Sequence, residues 1–357
     1  MPESNSKKQL AEDLFRDDIK DISTYQSARR IGGEGNIWIN ANESPFSNFA
    51  TNTIDLNGIN RYPEPQPQQL IEAYAAYANV EADQLLCCRG ADEAIELLIR
   101  SFCQPSIDSI SYFGPSYGMY NISAQANAVQ ANEIAFNNDF TLPENISLAK
   151  TSKLIFVCNP NNPTGTVIEI DEIESLLNKL PNSLVVIDEA YIEFASAYSS
   201  IRLLDRYPNL VILRTLSKAF ALAGARCGFL IASENIVQQV NRIIAPYPIP
   251  TPIEQIAIQS LSKSGIEIMQ SQVAQLLALK TELTNVLIVS GAKVLNSYTN
   301  FIFAEFSDPD DIWTRLANKG INARRYQSKN LLNAIRFSIG NSQEIESVIK
   351  IFEGIKG

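Results

Sequence analysis

The chain predicts an α/β fold in which a large, mostly parallel sheet carries helices on both faces and is followed by a smaller α+β domain. Between residues 83 and 245, short apolar runs alternate with segments of helical period, the pattern of parallel strands joined by crossover helices. From 253 the order changes to one long helical stretch, then strands and helices in α+β succession. With 357 residues, 45% of them apolar and 19% charged, the chain has room for two domains and the make-up of an ordinary globular protein.

Taken in order, residues 1–44 read as an arm. It holds a short amphipathic piece, then YQSARRIGGEG, whose three glycines interrupt regular structure. The large domain is expected over 45–252. PEPQPQQ at 63–69 is non-helical, and the strand candidates after it are QLLCC, SISYF, KLIFVC, SLVVID, NLVILRT and CGFLIA. Between them, ADEAIELLIRSF puts Ile95, Leu98, Ile99 and Phe102 on one helical face, and DEIESLLNKL does the same with Ile173, Leu176 and Leu177. The small domain, 253–357, opens with a helical stretch to Val289. Strand KVLNSYTNFIFAEF, helix DPDDIWTRLANKG, strands INARRY and AIRFSIG, and a closing helix NSQEIESVIKIFEGI complete it.

Histidine is absent, which removes histidine triads, histidine general bases and every His-containing metal site. No metal is expected. A formal charge of −10 argues against nucleic acid or an anionic membrane as a non-specific partner. Cys87, Cys88, Cys103, Cys158 and Cys227 are odd in number and lack CxxC spacing, so they read as buried thiols in a reducing compartment. MPESNSKKQLAEDLFRDD has no apolar core of a signal peptide, and no run is long enough to span a bilayer, so a cytoplasmic location is expected.

In open parallel sheets, ligands bind beyond the carboxyl ends of the strands. Three apolar runs lead into polar residues there: KLIFVC into NPNNPTG with Asn162, SLVVI into Asp188, and LVILRT into LeuSerLys with Lys218. Alone, NPNNPTG favours a turn, while a helix cap is the alternative reading of Asp188. Lys218 is harder to assign to solvent, because TLSKAFALAGARCGF is nearly all small or apolar. Desolvation lowers a lysine pKa and makes its amine a nucleophile toward aldehydes, for which a Schiff base is the natural use.

With these residues in place the chain resembles the fold-type I pyridoxal phosphate (PLP) aminotransferases, and among them the histidinol-phosphate aminotransferase family. The likeness runs through YQSARR, INANE, RYPEPQP, RGADEAIELLIR, PSYGMY, CNPNNPTG, DEAYIEF, RTLSKAFALAGARCGF, APYPIPTP and IRFSIG. It implies pyridoxal 5'-phosphate as cofactor, held covalently by Lys218, which also moves the proton. Asp188 would keep the pyridine nitrogen protonated so that the ring accepts carbanion electrons. Asn162 and Tyr191 would donate to the phenolic oxygen, and Tyr117 would lie against the ring. Asp188 and Tyr191 are three apart, so a short helical turn could bring both to one ligand.

For the cofactor phosphate, Gly90, Ala91 and Asp92 begin a helix whose free N–H groups face an anion, while Arg226 adds a fork and Ser217 a hydroxyl. The resemblance implies that Tyr62 reaches this phosphate from a neighbouring subunit, hence a homodimer with shared sites. In AIRFSIG, Arg336 lies opposite the apolar face and by itself reads as an exposed strand arginine. The family implies instead that Arg336 and Arg324 grip the anionic end of each substrate, with Tyr25 of the arm. Arg325 follows Arg324, and a shift of one residue would exchange them.

The implied reaction is reversible exchange of an amino group between L-histidinol phosphate and 2-oxoglutarate, giving imidazole acetol phosphate and glutamate, a step of histidine biosynthesis. An aromatic-amino-acid aminotransferase or a phospho-amino-acid decarboxylase of the same fold is the first alternative. A non-catalytic α/β protein that binds a nucleotide or effector, with Lys218 as a phosphate contact, is the second, but neither GxGxxG nor GxxxxGK[ST] occurs in the chain.

Overall fold

The computed structural model describes residues 10, 13–20, 22, 35–47 and 53–353, the side chain of Lys329 excepted. Eight strands precede residue 240: β1 (Ile37–Trp38), β2 (Leu85–Cys88), β3 (Ser109–Gly114), β4 (Gln130–Ala135), β5 (Leu154–Cys158), β6 (Leu184–Asp188), β7 (Leu210–Thr215) and β8 (Gly228–Ala232). All but β1 form one seven-stranded sheet in the order β2-β8-β7-β6-β5-β3-β4. The pairs from β7 through β4 are parallel, and β8 runs antiparallel to both of its neighbours.

Central strands of such a sheet are covered on both faces, so their residues are apolar without alternation. Along β7, Leu210 and Ile212 join the core on one face while Val211 and Leu213 join the other. One layer holds the helix Gly90–Phe102 and the helix Met119–Ala126, and the opposite layer holds the helix Gln68–Ala78 and the helix Ile170–Lys179. All six strand candidates lie in this sheet. The seventh strand of this sheet, β4, is an edge strand in which only Ile134 is buried, so it lacks the apolar run that marks the others.

The later strands are β9 (Lys293–Val294), β10 (Phe301–Glu305), β11 (Ile321–Asn322), β12 (Arg324–Arg325) and β13 (Ala334–Ser338). A four-stranded sheet has the order β12-β13-β10-β9 and is antiparallel at each pairing. The helical stretch expected up to Val289 is two helices, Thr251–Ser260 and Lys263–Val289. Ser262 separates them because its side chain accepts from Gly265 N–H at 3.2 Å and caps the second helix. KVLNSYTNFIFAEF also divides, into β9 and β10, around a turn where Ser297 and Thr299 satisfy one another and the carbonyl of Phe301.

The expected arm is stitched to the later part of the chain. β1 pairs in parallel with β11, and Ser338 N–H donates to the Ile39 carbonyl at 2.9 Å. A strip from Ile39 to Asn42 thus runs between the two large sheets, and Ile39, Asn40 and Asn42 are buried. Five cysteines are buried and free. Among the described residues no helix is long and apolar enough to cross a membrane.

Candidate active site

A cavity of about 680 Å³ opens at the carboxyl ends of β5, β6 and β7 and is closed from above by the strip and by β12 and β13. Ala91, Asp92, Tyr117, Asn162, Asp188, Tyr191, Ser217, Lys218, Arg226, Arg324 and Arg336, all expected from the sequence, line it.

Asp188 is the last residue of β6, in register with Cys158 and Leu213, and shares their face of the sheet. Its Oδ2 accepts from the Tyr120 hydroxyl at 2.7 Å and its Oδ1 from Ala190 N–H at 3.2 Å. Burial raises its pKa to about 6, against the pull of both hydrogen bonds toward the anion. A carboxylate held this way gains most from a cation placed next to it. Tyr191 follows in a short turn closed by Ile192 N–H to the Glu189 carbonyl at 3.1 Å, which leads into a 3₁₀ segment, Ile192–Phe194, so both side chains reach the cavity.

Lys218 lies just beyond β7. Its Nζ donates to the Ala41 carbonyl at 3.3 Å and sits 5.7 Å from the centre of the Tyr191 ring. Burial first, and then the Arg336 charge, lower its pKa to about 8, so a substantial neutral fraction exists near neutral pH. The desolvation read from TLSKAFALAGARCGF is present in the folded chain.

A second desolvated lysine went unnoticed in the sequence. Lys280, on the long helix, is also lowered to about 8 by burial, but it does not line the cavity. Its ammonium donates to the carbonyls of Ser297 at 2.6 Å and Thr299 at 2.8 Å and holds that turn. Burial alone therefore does not make a lysine a nucleophile.

Gly90, Ala91 and Asp92 open the helix Gly90–Phe102. Gly90 has φ +78, and a Cβ there would lie 2.8 Å from Arg226 Nη2, so glycine leaves room for the guanidinium over the helix N-terminus. Arg226 reaches Ser217 Oγ at 3.4 Å and the Asp92 carboxylate at 3.1 Å, while Asp92 also accepts from the Tyr117 hydroxyl at 2.9 Å. Backbone N–H groups, a hydroxyl and an arginine fork thus converge, the donor set a phosphate dianion takes.

Arg336 is not exposed. β13 is buried along its whole length, and the Arg336 guanidinium donates to the Asn162 side-chain oxygen and to the Asn40 carbonyl at 2.8 Å. The exposed-strand reading fails because the strip and the NPNNPTG loop cover that face of the small sheet. Arg324 lines the cavity and packs over Tyr326, whereas Arg325 pairs with Asp310. Tyr62 does not line the cavity of its own chain. It is 82% exposed and stacks on Tyr247 with ring centres 4.7 Å apart. Tyr25 lies outside the described residues.

Two buried contacts carry no signal that the sequence reveals, one behind the cavity at Tyr120 and one in its wall at Asn42. Tyr120 supports Asp188, and Asn42 donates from Nδ2 to the Tyr191 hydroxyl at 3.0 Å. Tyr120 lies in the helix Met119–Ala126, three residues after Tyr117, which precedes that helix, and the two rings meet edge-on at 5.8 Å. The INANE segment holding Asn42 has no local signal either.

The family model for class I and II aminotransferases matches residues 36–352. A histidinol-phosphate aminotransferase of Shewanella oneidensis is 50% identical over 352 residues, covering 97% of this chain and 90% of its own. Its counterpart from Shewanella amazonensis is 50% identical over 347 residues, with 96% and 94% covered. Among solved structures, a histidinol-phosphate aminotransferase from Sinorhizobium meliloti in complex with pyridoxal-5'-phosphate superposes with a TM-score of 0.81 at 21% identity, covering 95% of this chain and 98% of that one. The chain belongs to the class I and II aminotransferases and, within them, to the histidinol-phosphate aminotransferase family.

Proposed function

We propose that the chain uses pyridoxal 5'-phosphate to move an amino group reversibly between L-histidinol phosphate and 2-oxoglutarate, yielding imidazole acetol phosphate and glutamate. The observation that carries this reading is the convergence of Lys218, Asp188, Asn162, Tyr191 and Arg226 on one cavity whose far wall presents Arg324 and Arg336. The donor set fits the cofactor: an amine of lowered pKa, a buried carboxylate, and an anion cradle kept open by Gly90.

When bound, PLP supplies an aldehyde for amines and a ring that accepts the electron pair left on the substrate carbon. Lys218 would hold the cofactor through Nζ and, once released, would carry a proton between the substrate α-carbon and the cofactor carbon C4′. With a pKa of about 8, its amine can do both near neutral pH. Asp188 holds a proton on the ring nitrogen, and Tyr120 holds Asp188. Asn162 and Tyr191 orient the ring through its phenolic oxygen, Tyr117 bounds the ring, and Ser217, Arg226 and the 90–92 N–H groups take the phosphate. Arg336, fastened to Asn162 and Asn40, and Arg324 meet the substrate anions, so one pair serves a phosphate in one half-reaction and a distal carboxylate in the other.

Under this reading residues 45–252 bind the cofactor and 253–357 supply most of the substrate contacts. The protein works in the cytoplasm as a homodimer, in which the exposed Tyr62 completes the partner's phosphate site. Adding histidinol phosphate to the PLP-loaded protein should convert its visible absorption band to the pyridoxamine form in one turnover, and 2-oxoglutarate should restore it. A protein that gains no visible band with PLP would overturn the proposal. Clear preference for phenylalanine over histidinol phosphate in catalytic efficiency would overturn the substrate while leaving the class.

A further inference from the structure

A chain of hydrogen bonds enters the site from the small sheet and ends on Tyr191. Asn42 N–H donates to Ser338 Oγ at 2.8 Å, and Ser338 donates its own hydroxyl proton to Asn42 Oδ1 at 2.8 Å. Asn42 Nδ2 then donates to the Tyr191 hydroxyl at 3.0 Å, and Asn300 Nδ2 donates to the Asn42 carbonyl at 3.1 Å. Asn42, Tyr191, Asn300 and Ser338 are all buried.

The polarity of this chain follows from its members. A serine oxygen that already accepts a backbone N–H has its hydrogen left to donate, and the acceptor in reach is the amide oxygen of Asn42. The amide NH₂ therefore faces Tyr191, and an NH₂ group only donates. The Tyr191 oxygen is the acceptor in that bond, so its own hydrogen points elsewhere. Phe301 meets the Tyr191 ring edge-on at 5.3 Å, and the cavity is the open side.

We propose that Asn42 is a positioning residue that sets the direction of the Tyr191 hydroxyl, committing Tyr191 to donate into the cavity toward the phenolic oxygen of the cofactor. This rests on the PLP reading above. Asn42 occupies the left-handed region at φ 54, where asparagine is among the few side chains readily accepted. Its position between Tyr191 after β6 and Ser338 on β13 makes the hydroxyl's direction depend on both sheets being in place.

The test is the pH titration of the visible band of the PLP-loaded protein, which reports how tightly the Lys218 nitrogen and the phenolic oxygen share a proton. Losing a donor at that oxygen leaves it more basic and raises the midpoint. Asn42→Gly removes the amide and suits a positive φ, and it should raise the midpoint by about half a pH unit or more. Tyr191→Phe should raise it further, and the double variant should titrate like Tyr191→Phe alone. The charges that reach Lys218, from Arg336, Asp92, Glu43 and Arg226, are the same in every variant.

An unmoved midpoint in Asn42→Gly, or a shift of the same size in the Tyr191→Phe background, would overturn the assignment, because a merely structural Asn42 would not act through that hydroxyl. Ser338→Ala provides a second measurement if Asn42→Gly does not fold. It leaves Asn42 in place, frees the amide to turn, and should give a smaller rise that also disappears with Tyr191→Phe. Wild-type protein with no visible band would overturn the cofactor reading itself, whereas a normal wild-type titration beside an unmoved Asn42→Gly would overturn only the role of Asn42.

Discussion

The proposed cofactor side of the cavity and its proposed substrate side draw on different kinds of structure. On the cofactor side, Asp188 ends a parallel strand buried on both faces, Asn162 and Lys218 follow two others, and these three neighbouring strands bring their ends together. On the substrate side, Arg324 and Arg336 sit opposite one another on antiparallel β12 and β13, and the strip at Asn40–Asn42 reaches them from nearly three hundred residues away in the chain. Sheet topology places the first group. Register and long-range packing place the second, so the same kind of substitution should act differently on the two sides.

The largest effect is expected from Lys218→Ala, which removes both the proposed attachment point and the proposed proton carrier. Turnover should fall by about 10⁵-fold or more in a single-turnover half-reaction, and the lysine-linked visible band should vanish. Retention of that band would break the comparison at its first member.

Asp188→Asn comes next, with turnover expected to fall by roughly 10³-fold as the ring loses its electron-withdrawing proton. It also has a pH signature in the cofactor-free protein. The folded pKa of Asp188, about 6, is above its ordinary 3.8, so its favourable contribution is fully present below 3.8 and is lost as pH rises through about 6. Denaturant unfolding should therefore show wild type losing roughly 2–3 kcal/mol between pH 4 and 7 through this group, a loss that Asp188→Asn lacks. Glu193, raised to about 7 by burial, has the same sign and should leave a remaining slope in both proteins.

On the substrate side, Arg336→Ala should raise the KM for both substrates and also destabilise the fold by about 1–3 kcal/mol, because Asn162 and the Asn40 carbonyl lose their buried donor. Arg324→Ala should raise the same KM values by about tenfold to a hundredfold with a smaller stability change. A normal KM for histidinol phosphate in both variants would show that the anion is held elsewhere.

Arg325→Ala should do least. Its partner Asp310 is 81% exposed, so stability should change by no more than about 0.5 kcal/mol and KM should be unmoved. If Arg325→Ala raised KM and Arg324→Ala did not, the register of β12 would be shifted by one residue in solution. This pair is the sharpest test of the antiparallel side.

The cofactor side was the more legible because its signals are local. An apolar run ending in Asp188, or a lysine among small and apolar neighbours, can be read within a dozen residues. Asn42 carries no such mark: its role needs Tyr191 and Ser338, which lie 149 and 296 positions away. The Glu189–Arg214 ion pair, buried on the opposite face of the sheet from Asp188, was hidden for the same reason. Arg336 shows the limit of strand alternation, since a polar residue on the alternate face reads as exposed only if nothing covers that face.

By itself the sequence determined six of the seven strands of the large sheet, the placement of Asn162, Asp188 and Lys218 at their carboxyl ends, and a chemistry that needs no histidine. These follow from burial and local periodicity, which act over a few residues. Only the tertiary structure decided that Arg324 rather than Arg325 faces the cavity, that Arg336 is enclosed, that Lys280 holds a turn while Lys218 meets the cavity, and that Asn42 donates to Tyr191. Each of these depends on which distant segment covers a given face, and a chain meets that segment only when it has folded.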